Sequence, residues 1–295
     1  MRLNGPLIKS FLPLRPSTAH KGNFGRVLVV AGSETMSGAA VLCARAALKA
    51  GAGIVALALP KSRQCIAAAA LPEMLTLPLP EKEGVLSKTA LPKLKKFLHE
   101  FNPSVVLIGP GLSRSELILP FLKSCSLPCV IDADALNALA REKKLLHFKQ
   151  PCICTPHEGE MARLLGKKIS KEAQKRVLYA QELSQKTGAV SLLKGFETVV
   201  TDGEKTYINP TGGPALAKGG SGDVLAGLMA GFWAQIGTAE GFTRQSAFKA
   251  AACGVYLHGL CGDLAAKKLT ERCVLAGELL DYLPQALKRV MRKWK

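Results

Sequence analysis

The sequence predicts an α/β fold with a mostly parallel central sheet, and three observations carry that prediction. Short runs of aliphatic and β-branched residues alternate with longer Ala-rich segments along all 295 residues. These runs are apolar throughout, without polar/apolar alternation, as strands covered on both faces are. Aromatic residues make up only 5% of a chain that is 48% hydrophobic, so the core must be aliphatic. That suits helices packed on a sheet better than a β-sandwich.

In chain order, Arg26–Ala31 reads as a strand ending in Gly32-Ser33, and Ser37–Ala50 as a helix stopped by Gly51. Ile54–Leu59 is again strand-like, and Leu71–Lys88, with its closely spaced prolines, reads as an irregular excursion. Further strands are expected at Ser104–Ile108, Cys129–Ile131, Cys152–Cys154 and Val190–Leu193. Glu197–Thr201 and Thr206–Ile208 form an expected hairpin around Asp202-Gly203. No composition shift marks a boundary, so residues 1–295 read as one domain.

Forty basic against twenty-two acidic residues give a net charge of +18, which points to anionic partners, either nucleic acid or phosphorylated small molecules. The densest basic run, Lys288–Lys295, ends a helical pattern and reads as a solvated tail. Nucleic-acid binding is disfavoured by the scarcity of aromatic stacking residues and the lack of a binding motif. The nine cysteines are odd in number and include no C-x-x-C pair, so they read as reduced, buried thiols, Cys43, Cys65 and Cys253 among them. No signal peptide and no membrane span are legible, and a cytoplasmic location is expected.

Chemistry concentrates on Lys218-Gly219-Gly220-Ser221-Gly222-Asp223, followed by an apolar run that opens a helix. Three glycines permit a tight turn with close backbone approach, and the N–H groups at such a helix start receive phosphate. The plain alternative is a helix cap made by Ser221 or Asp223. Capping requires neither three glycines nor the neighbouring lysine. The helix field is expected to depress the pKa of Asp223. The turn is not a P-loop, since no G-x-x-x-x-G-K-[ST] occurs. Gly51-Ala52-Gly53 follows a helix and precedes a strand, the reverse of a dinucleotide fingerprint.

The other unusual residues fall at strand ends, where parallel sheets bind ligands. They are Gly109-Pro110-Gly111, Asp132 with Asp134 and Asn137, His157 with Glu158 and Glu160, and Lys194-Gly195-x-x-Thr198. Each has a local reading as well: a turn, an Asx-turn with a helix cap, a polar helix start, and a turn between strands.

In order, these motifs resemble one family. His20-Lys21-Gly22-x-x-Gly25-Arg26 through Gly32-Ser33, Ser37-Gly38-Ala39-Ala40, Ile108–Leu112, Asp132–Asn137, Thr155–Leu164, Lys194–Thr198 and Gly219–Gly227 are similar to the ADP-dependent (S)-NAD(P)H-hydrate dehydratases, over roughly residues 20–283. The resemblance implies a ribokinase-like three-layer α/β/α sandwich. His157 stands where related kinases carry Asn, which counts against a kinase for a small alcohol or vitamin precursor, the alternative within this fold.

By resemblance, Asp223 is the base and also contacts substrate, and Gly220, Ser221 and Gly222 form an anion hole. Ala40, Gly111 and His157 contact the hydrated dinucleotide. Lys194, Gly195, Phe196, Glu197, Thr198 and Gly222 hold the nucleotide. Magnesium is expected with ADP, with Glu160 placing it indirectly through water. The implied reaction phosphorylates the hydroxyl of hydrated NADH or NADPH and then expels phosphate, leaving AMP. Only about 20 residues precede the motif region, so no N-terminal epimerase domain is expected, and a separate epimerase would be the pathway partner. A homotetramer is implied by resemblance; neither nucleic acid nor membrane is an expected partner.

Overall fold

Four neighbouring strands end level at one edge of a central sheet, and this edge positions the residues of interest. The computed structural model describes residues 1–291. Its strands are β1 (Arg26–Val30), β2 (Ile54–Pro60), β3 (Leu75–Leu79), β4 (Glu81–Lys82), β5 (Val85–Leu86), β6 (Val105–Ile108), β7 (Cys129–Ile131), β8 (Cys152–Cys154), β9 (Val190–Leu193), β10 (Val199–Thr201) and β11 (Thr206–Ile208). Nine of them form one sheet in the order β11-β10-β9-β8-β7-β6-β1-β2-β3. From β9 through β3 every pairing is parallel, while β10 and β11 add an antiparallel hairpin at the far edge.

The helices are α1 (Gly5–Phe11), α2 (Ser37–Ala50), α3 (Gln64–Ala70), α4 (Leu91–Phe101), α5 (Ile118–Ser124), α6 (Asp134–Ala140), α7 (Glu158–Leu165), α8 (Ala173–Thr187), α9 (Ser221–Glu240), α10 (Arg244–Leu269) and α11 (Leu283–Met291). Successive strand residues point to opposite faces, so each strand feeds two cores. Val27, Val29, Val105, Leu107 and Ile153 join α1, α2, α9, α10 and α11 on one face. Leu28, Val30, Val106, Ile108 and Ile131 join α4 to α8 on the other. Three layers result, with aliphatic strands buried on both sides as the composition requires.

Helix α9 is apolar on all sides and lies deep in the first core, as such a helix must. It packs closely on α2 because Gly227 and Gly231 present no side chain there. A Cβ on Gly227 would lie 2.3 Å from the Cys43 carbonyl oxygen, and one on Gly231 would lie 2.5 Å from that of Ala47. Helix α10 starts on a capping box: the Thr243 hydroxyl accepts the Ser246 N–H at 3.1 Å, and the Ser246 hydroxyl accepts the Thr243 N–H at 2.9 Å.

Two expectations need correction. Leu71–Lys88 is not wholly irregular: it carries edge strand β3, paired with β2, and the β4–β5 hairpin. Pro78 hid the strand, but an edge strand tolerates a residue that cannot donate to a further neighbour. The thiols are all free, yet Cys65 and Cys273 are exposed. Cys65 lies on the short helix α3, which buries Ala67 alone. Of the basic C-terminal run, Lys288 and Arg289 lie in the last turn of α11, and residues 292–295 lie outside the described residues.

The α2–α9 approach gives a direct test. Gly231→Ala should cost about 1–3 kcal/mol in chemical denaturation, because neither backbone can yield without disturbing a packed core. Gly38→Ala, where an added Cβ meets nothing within 4 Å, should instead be neutral or stabilise by up to about 1 kcal/mol. Equal effects at the two positions would contradict the packing account.

Candidate active site

The level strand ends set the site. Hydrogen bonds from the Asp132 N–H to the Ile108 carbonyl (3.1 Å) and from the Thr155 N–H to the Ile131 carbonyl (3.2 Å) continue the sheet one residue past β7 and β8. The Lys194 N–H reaches the Pro156 carbonyl at 2.9 Å. Asp132, Thr155 and Lys194 therefore emerge side by side. The Lys194 ammonium donates to Asp132 Oδ1 at 2.8 Å, and the Thr155 hydroxyl donates to the same oxygen at 2.6 Å. Glu160 Oε2 lies 3.8 Å from the ammonium. Asp132, Thr155 and Glu160 are all buried. The Lys194 side chain is mostly covered (17% exposed), and its pKa is raised: loss of water opposes the charge, and Asp132 and Glu160 outweigh it.

The local reading of Asp132 as a cap is therefore wrong. The residue before α6 is Ala133, in an unusual conformation (φ 48°) with no side-chain cap, and Asp132 is committed to Lys194. Asp134 Oδ2 instead accepts the Ser113 N–H at 2.7 Å, tying down the loop that follows Gly111.

His157 does cap α7. Its Nδ1 accepts from Gly159 at 2.9 Å and from Glu160 at 3.4 Å, while Glu160 Oε2 accepts the His157 N–H at 2.8 Å. An accepting Nδ1 carries no proton, so the proton of a neutral ring is on Nε2, which lies 3.6 Å from Glu160 Oε1. The imidazole is half exposed and lines a cavity, so this cap also faces ligand space.

That cavity has a volume of about 800 Å³, within the range of small-molecule sites. It is walled by Lys194, Gly195, Phe196, Thr198, Ser221, Gly222 and the 209–218 loop, with His157 at one side. Phe196 is 83% exposed at its rim, an apolar ring with no protein cover. Glu197 does not line the cavity; it pairs with Arg2. The segment that begins at Lys194 is held from behind by Arg176. This buried guanidinium donates to the Leu193 carbonyl at 3.1 Å and pairs with Glu158 at 2.6 Å.

At the glycine turn, Gly220 takes the N-cap position of α9 with φ 88°, and no side chain caps the helix. Neither Ser221 nor Asp223 plays the capping role. The Ser221 N–H is used internally, by the Lys218 carbonyl at 3.2 Å. Those of Gly222 and Asp223 have no acceptor among the described residues. The Ser221 hydroxyl shares a hydrogen bond of 3.2 Å with His258 Nε2. Burial lowers the His258 pKa to about 4, so this ring is neutral. A Cβ on Gly222 would lie 3.6 Å from the Lys194 ammonium, which places that charge directly beside the open turn.

Asp223 corrects the expectation of a depressed pKa. Burial pushes its carboxyl up to about 6, Asp132 and then Asp134 add to the rise, and Lys194 opposes it. Loss of water and two like charges outweigh the helix field. Ala40 and Gly111 lie on the other side of the edge. Ala40 is fully buried in the first turns of α2, 3.0 Å from a Cβ built on Gly32, and Gly111 (φ 65°) packs on Met36 and Ala39. Neither lines the cavity, but the Cys43 thiol of α2 donates to the Asp223 carbonyl at 3.3 Å and joins the two regions.

The residues do not suit a directly held metal. Glu160 is engaged by the His157 N–H and Lys194, and no group of three or more His, Cys, Asp or Glu among the described residues could hold an ion. Asn209, Thr211 and His258 line the cavity without having been marked by the sequence. His258 lies mid-helix in an Ala/Gly-rich stretch, and only the turn composition Asn209–Gly213 hinted at the others.

A parallel sheet with its site along the carboxyl edge, a glycine turn opening a buried helix and an acid in the first turn define the ribokinase-like class, whose solved members share this fold. Within that class the chain belongs to the NAD(P)H-hydrate dehydratase family, whose model matches residues 27–285. It is 46% identical over 290 residues to the bifunctional NAD(P)H-hydrate repair enzyme Nnr of Moorella thermoacetica, covering 96% of this chain and 53% of that one. It is 34% identical over 284 residues to the ADP-dependent (S)-NAD(P)H-hydrate dehydratase of Cenarchaeum symbiosum, covering 95% and 94%. The ADP/ATP-dependent NAD(P)H-hydrate dehydratase of Bacillus subtilis, crystallised with ATP and Mg2+, superposes with a TM-score of 0.81 at 30% identity, covering 98% of each chain. The chain thus spans about half the length of the bifunctional relatives it matches. No helix among the described residues is long and apolar enough to cross a membrane.

The raised pKa of Asp223 has a consequence for stability. The folded chain holds this proton more tightly than the unfolded chain, so stability falls as pH rises from the ordinary aspartate range, near ~4, to about 6. Asp223→Asn should therefore raise the thermal midpoint at pH 8 and leave it nearly unchanged at pH 4. A lowered midpoint at pH 8 would contradict the desolvation account.

Proposed function

We propose that this chain dehydrates (S)-NAD(P)H hydrate at the expense of ADP, yielding NAD(P)H, AMP and phosphate. The observation that carries the reading is the pairing at α9: two N–H groups without acceptors, and a desolvated carboxyl directly beside them. Phosphate and base are thereby served by consecutive residues. The names of the Cenarchaeum and Bacillus proteins supply the substrate class.

In this reading ADP fills the 800 Å³ cavity, with its adenosine between Phe196, Thr198 and the 209–218 loop and its β-phosphate at the Gly222 and Asp223 N–H groups. The hydrated nicotinamide ring lies toward Ala40, Gly111 and His157, whose Nε2–H serves as a donor. Asp223 accepts the ring hydroxyl's proton as that oxygen attacks the β-phosphorus and the bond to AMP breaks. The Lys194 ammonium stabilises the charge gathered on the transferred phosphoryl group. The ring nitrogen's lone pair then expels phosphate, and loss of a proton from the adjacent carbon restores the double bond. Magnesium would enter on the nucleotide's phosphates, since the chain's own acids do not suit it. A cytoplasmic location, a homotetramer and an epimerase activity that supplies the reactive epimer belong to the same reading.

Purified protein given hydrated NADH, ADP and magnesium should restore the reduced-nicotinamide absorbance. No recovery with either ADP or ATP would sink the dehydratase reading, and a stable phosphorylated small alcohol would favour the kinase. Asp223→Asn should reduce turnover by about 10³-fold or more while ADP binding, followed by fluorescence titration, persists. The wild-type kcat/KM profile should fall on the acid side around pH 6, because a base that titrates at about 6 is protonated below it.

A further inference from the structure

We infer that Asp132 is a positioning residue for the reaction: through the Lys194 ammonium it holds a fixed positive charge beside the phosphate-binding turn that carries Asp223. The inference rests on the dehydratase reading for its kinetic consequences, but not for its geometry.

A lysine side chain is long and flexible, and in a half-open cavity it would extend to water. Lys194 does not. It follows β9 directly, and its ammonium is pinned by Asp132 Oδ1 at 2.8 Å, with Glu160 at 3.8 Å on the other side. Asp132 is fixed in turn. It is 1% exposed, its backbone N–H continues the sheet, and its Oδ1 also receives the Thr155 hydroxyl at 2.6 Å. The strand register supplies this order: Ile108, Ile131 and Cys154 are direct partners across β6, β7 and β8, so the residues that follow them are neighbours. The charge so fixed lies 3.6 Å from where a Cβ would stand on Gly222, so it sits directly beside the open turn. A cation held in place by the fold costs no rearrangement when charge develops beside it.

Asp132 and Lys194 act on Asp223 in opposite senses. The Asp132 charge disfavours ionisation of Asp223, and the Lys194 charge favours it. The other groups facing Asp223 are Asp134 at the start of α6 and the Cys43 thiol of α2. Glu160 and, behind it, His157 reach the cluster through Lys194. His258 of α10 bonds the Ser221 hydroxyl and is neutral. Asp223 is thus poised between one fixed anion and one fixed cation, and removing either should move its titration in a known direction.

The test is the titration of Asp223 followed by carbon-13 NMR of its carboxyl, assigned by its loss in Asp223→Asn. Asp132→Asn should move the midpoint down, and Lys194→Met should move it up, each by about one pH unit or more. In turnover assays, the acid limb of kcat/KM should follow in the same directions. Both variants should lose at least ~30-fold in kcat, with the apparent KM for ADP changed far less. Either single variant leaves an unpaired buried charge and can fail to fold, so the paired variant Asp132→Asn/Lys194→Met, which removes both charges, completes the set. It should fold yet stay slow; recovery of wild-type kcat with recovered folding would make the pair merely structural and overturn the inference. Midpoints of Asp223 unmoved in both single variants would overturn it as well. Absence of any hydrate turnover by the wild type would count against the dehydratase reading alone, because the NMR titration decides the charge pair without it.

Discussion

The contact on which the site depends is the buried ion pair between Lys194 and Asp132. It spans the ends of β9 and β7, with Thr155 of the intervening β8 donating to the same oxygen. Replacing both charges by apolar groups would often be as stable, so stability alone does not explain a pair of this kind. Its position explains it better. β7 and β8 end level and β9 runs two residues further, and a fixed cation is thereby delivered to the place where α9 begins. The sheet acts as the ruler, and the ion pair transfers its precision to the glycine turn.

The same edge keeps apart the two regions proposed for ligands. On one side lies the cavity bounded by the loop after β9, which Arg176 braces from beneath. On the other lie Ala40 and Gly111, on elements that follow β1 and β6. Asp223 lies at their junction because α9 packs on α2 closely enough for only hydrogen at Gly227 and Gly231. The buried helix thus serves two ends: its apolar body fixes the core, and its uncapped start leaves backbone donors for an anion. A capped start would have been more stable and of no use.

Much of this was legible in the sequence for a physical reason. Continuous aliphatic runs have few alternatives to buried parallel strands, so β1, β2 and β6 to β9 could be placed within a residue or so. Strand ends then marked Asp132, His157 and Lys194, since parallel sheets present such residues together. β3 was not legible, because Pro78 carries the opposite local signal and only edge position reconciles it. The pKa of Asp223 was misjudged for a related reason. The helix field is local and can be read from sequence, whereas burial and the charge of Asp132, 91 positions away, are tertiary. His258 gave no signal and Asn209 only that of a turn, since a histidine inside a helix and an asparagine in a turn are ordinary residues until the fold brings them to one cavity wall. Glu197, which the resemblance groups with the nucleotide residues, pairs with Arg2.

The central claim is that the hydroxyl of the damaged ring is phosphorylated before it leaves. Hydrated NADH labelled with oxygen-18 in that hydroxyl tests it most directly, with the released products examined by mass spectrometry. Attack of the hydroxyl oxygen on the β-phosphorus followed by cleavage of the carbon–oxygen bond places the label in inorganic phosphate. Label recovered in water, with none in phosphate, would mean that the hydroxyl departs without phosphorylation and would contradict the account.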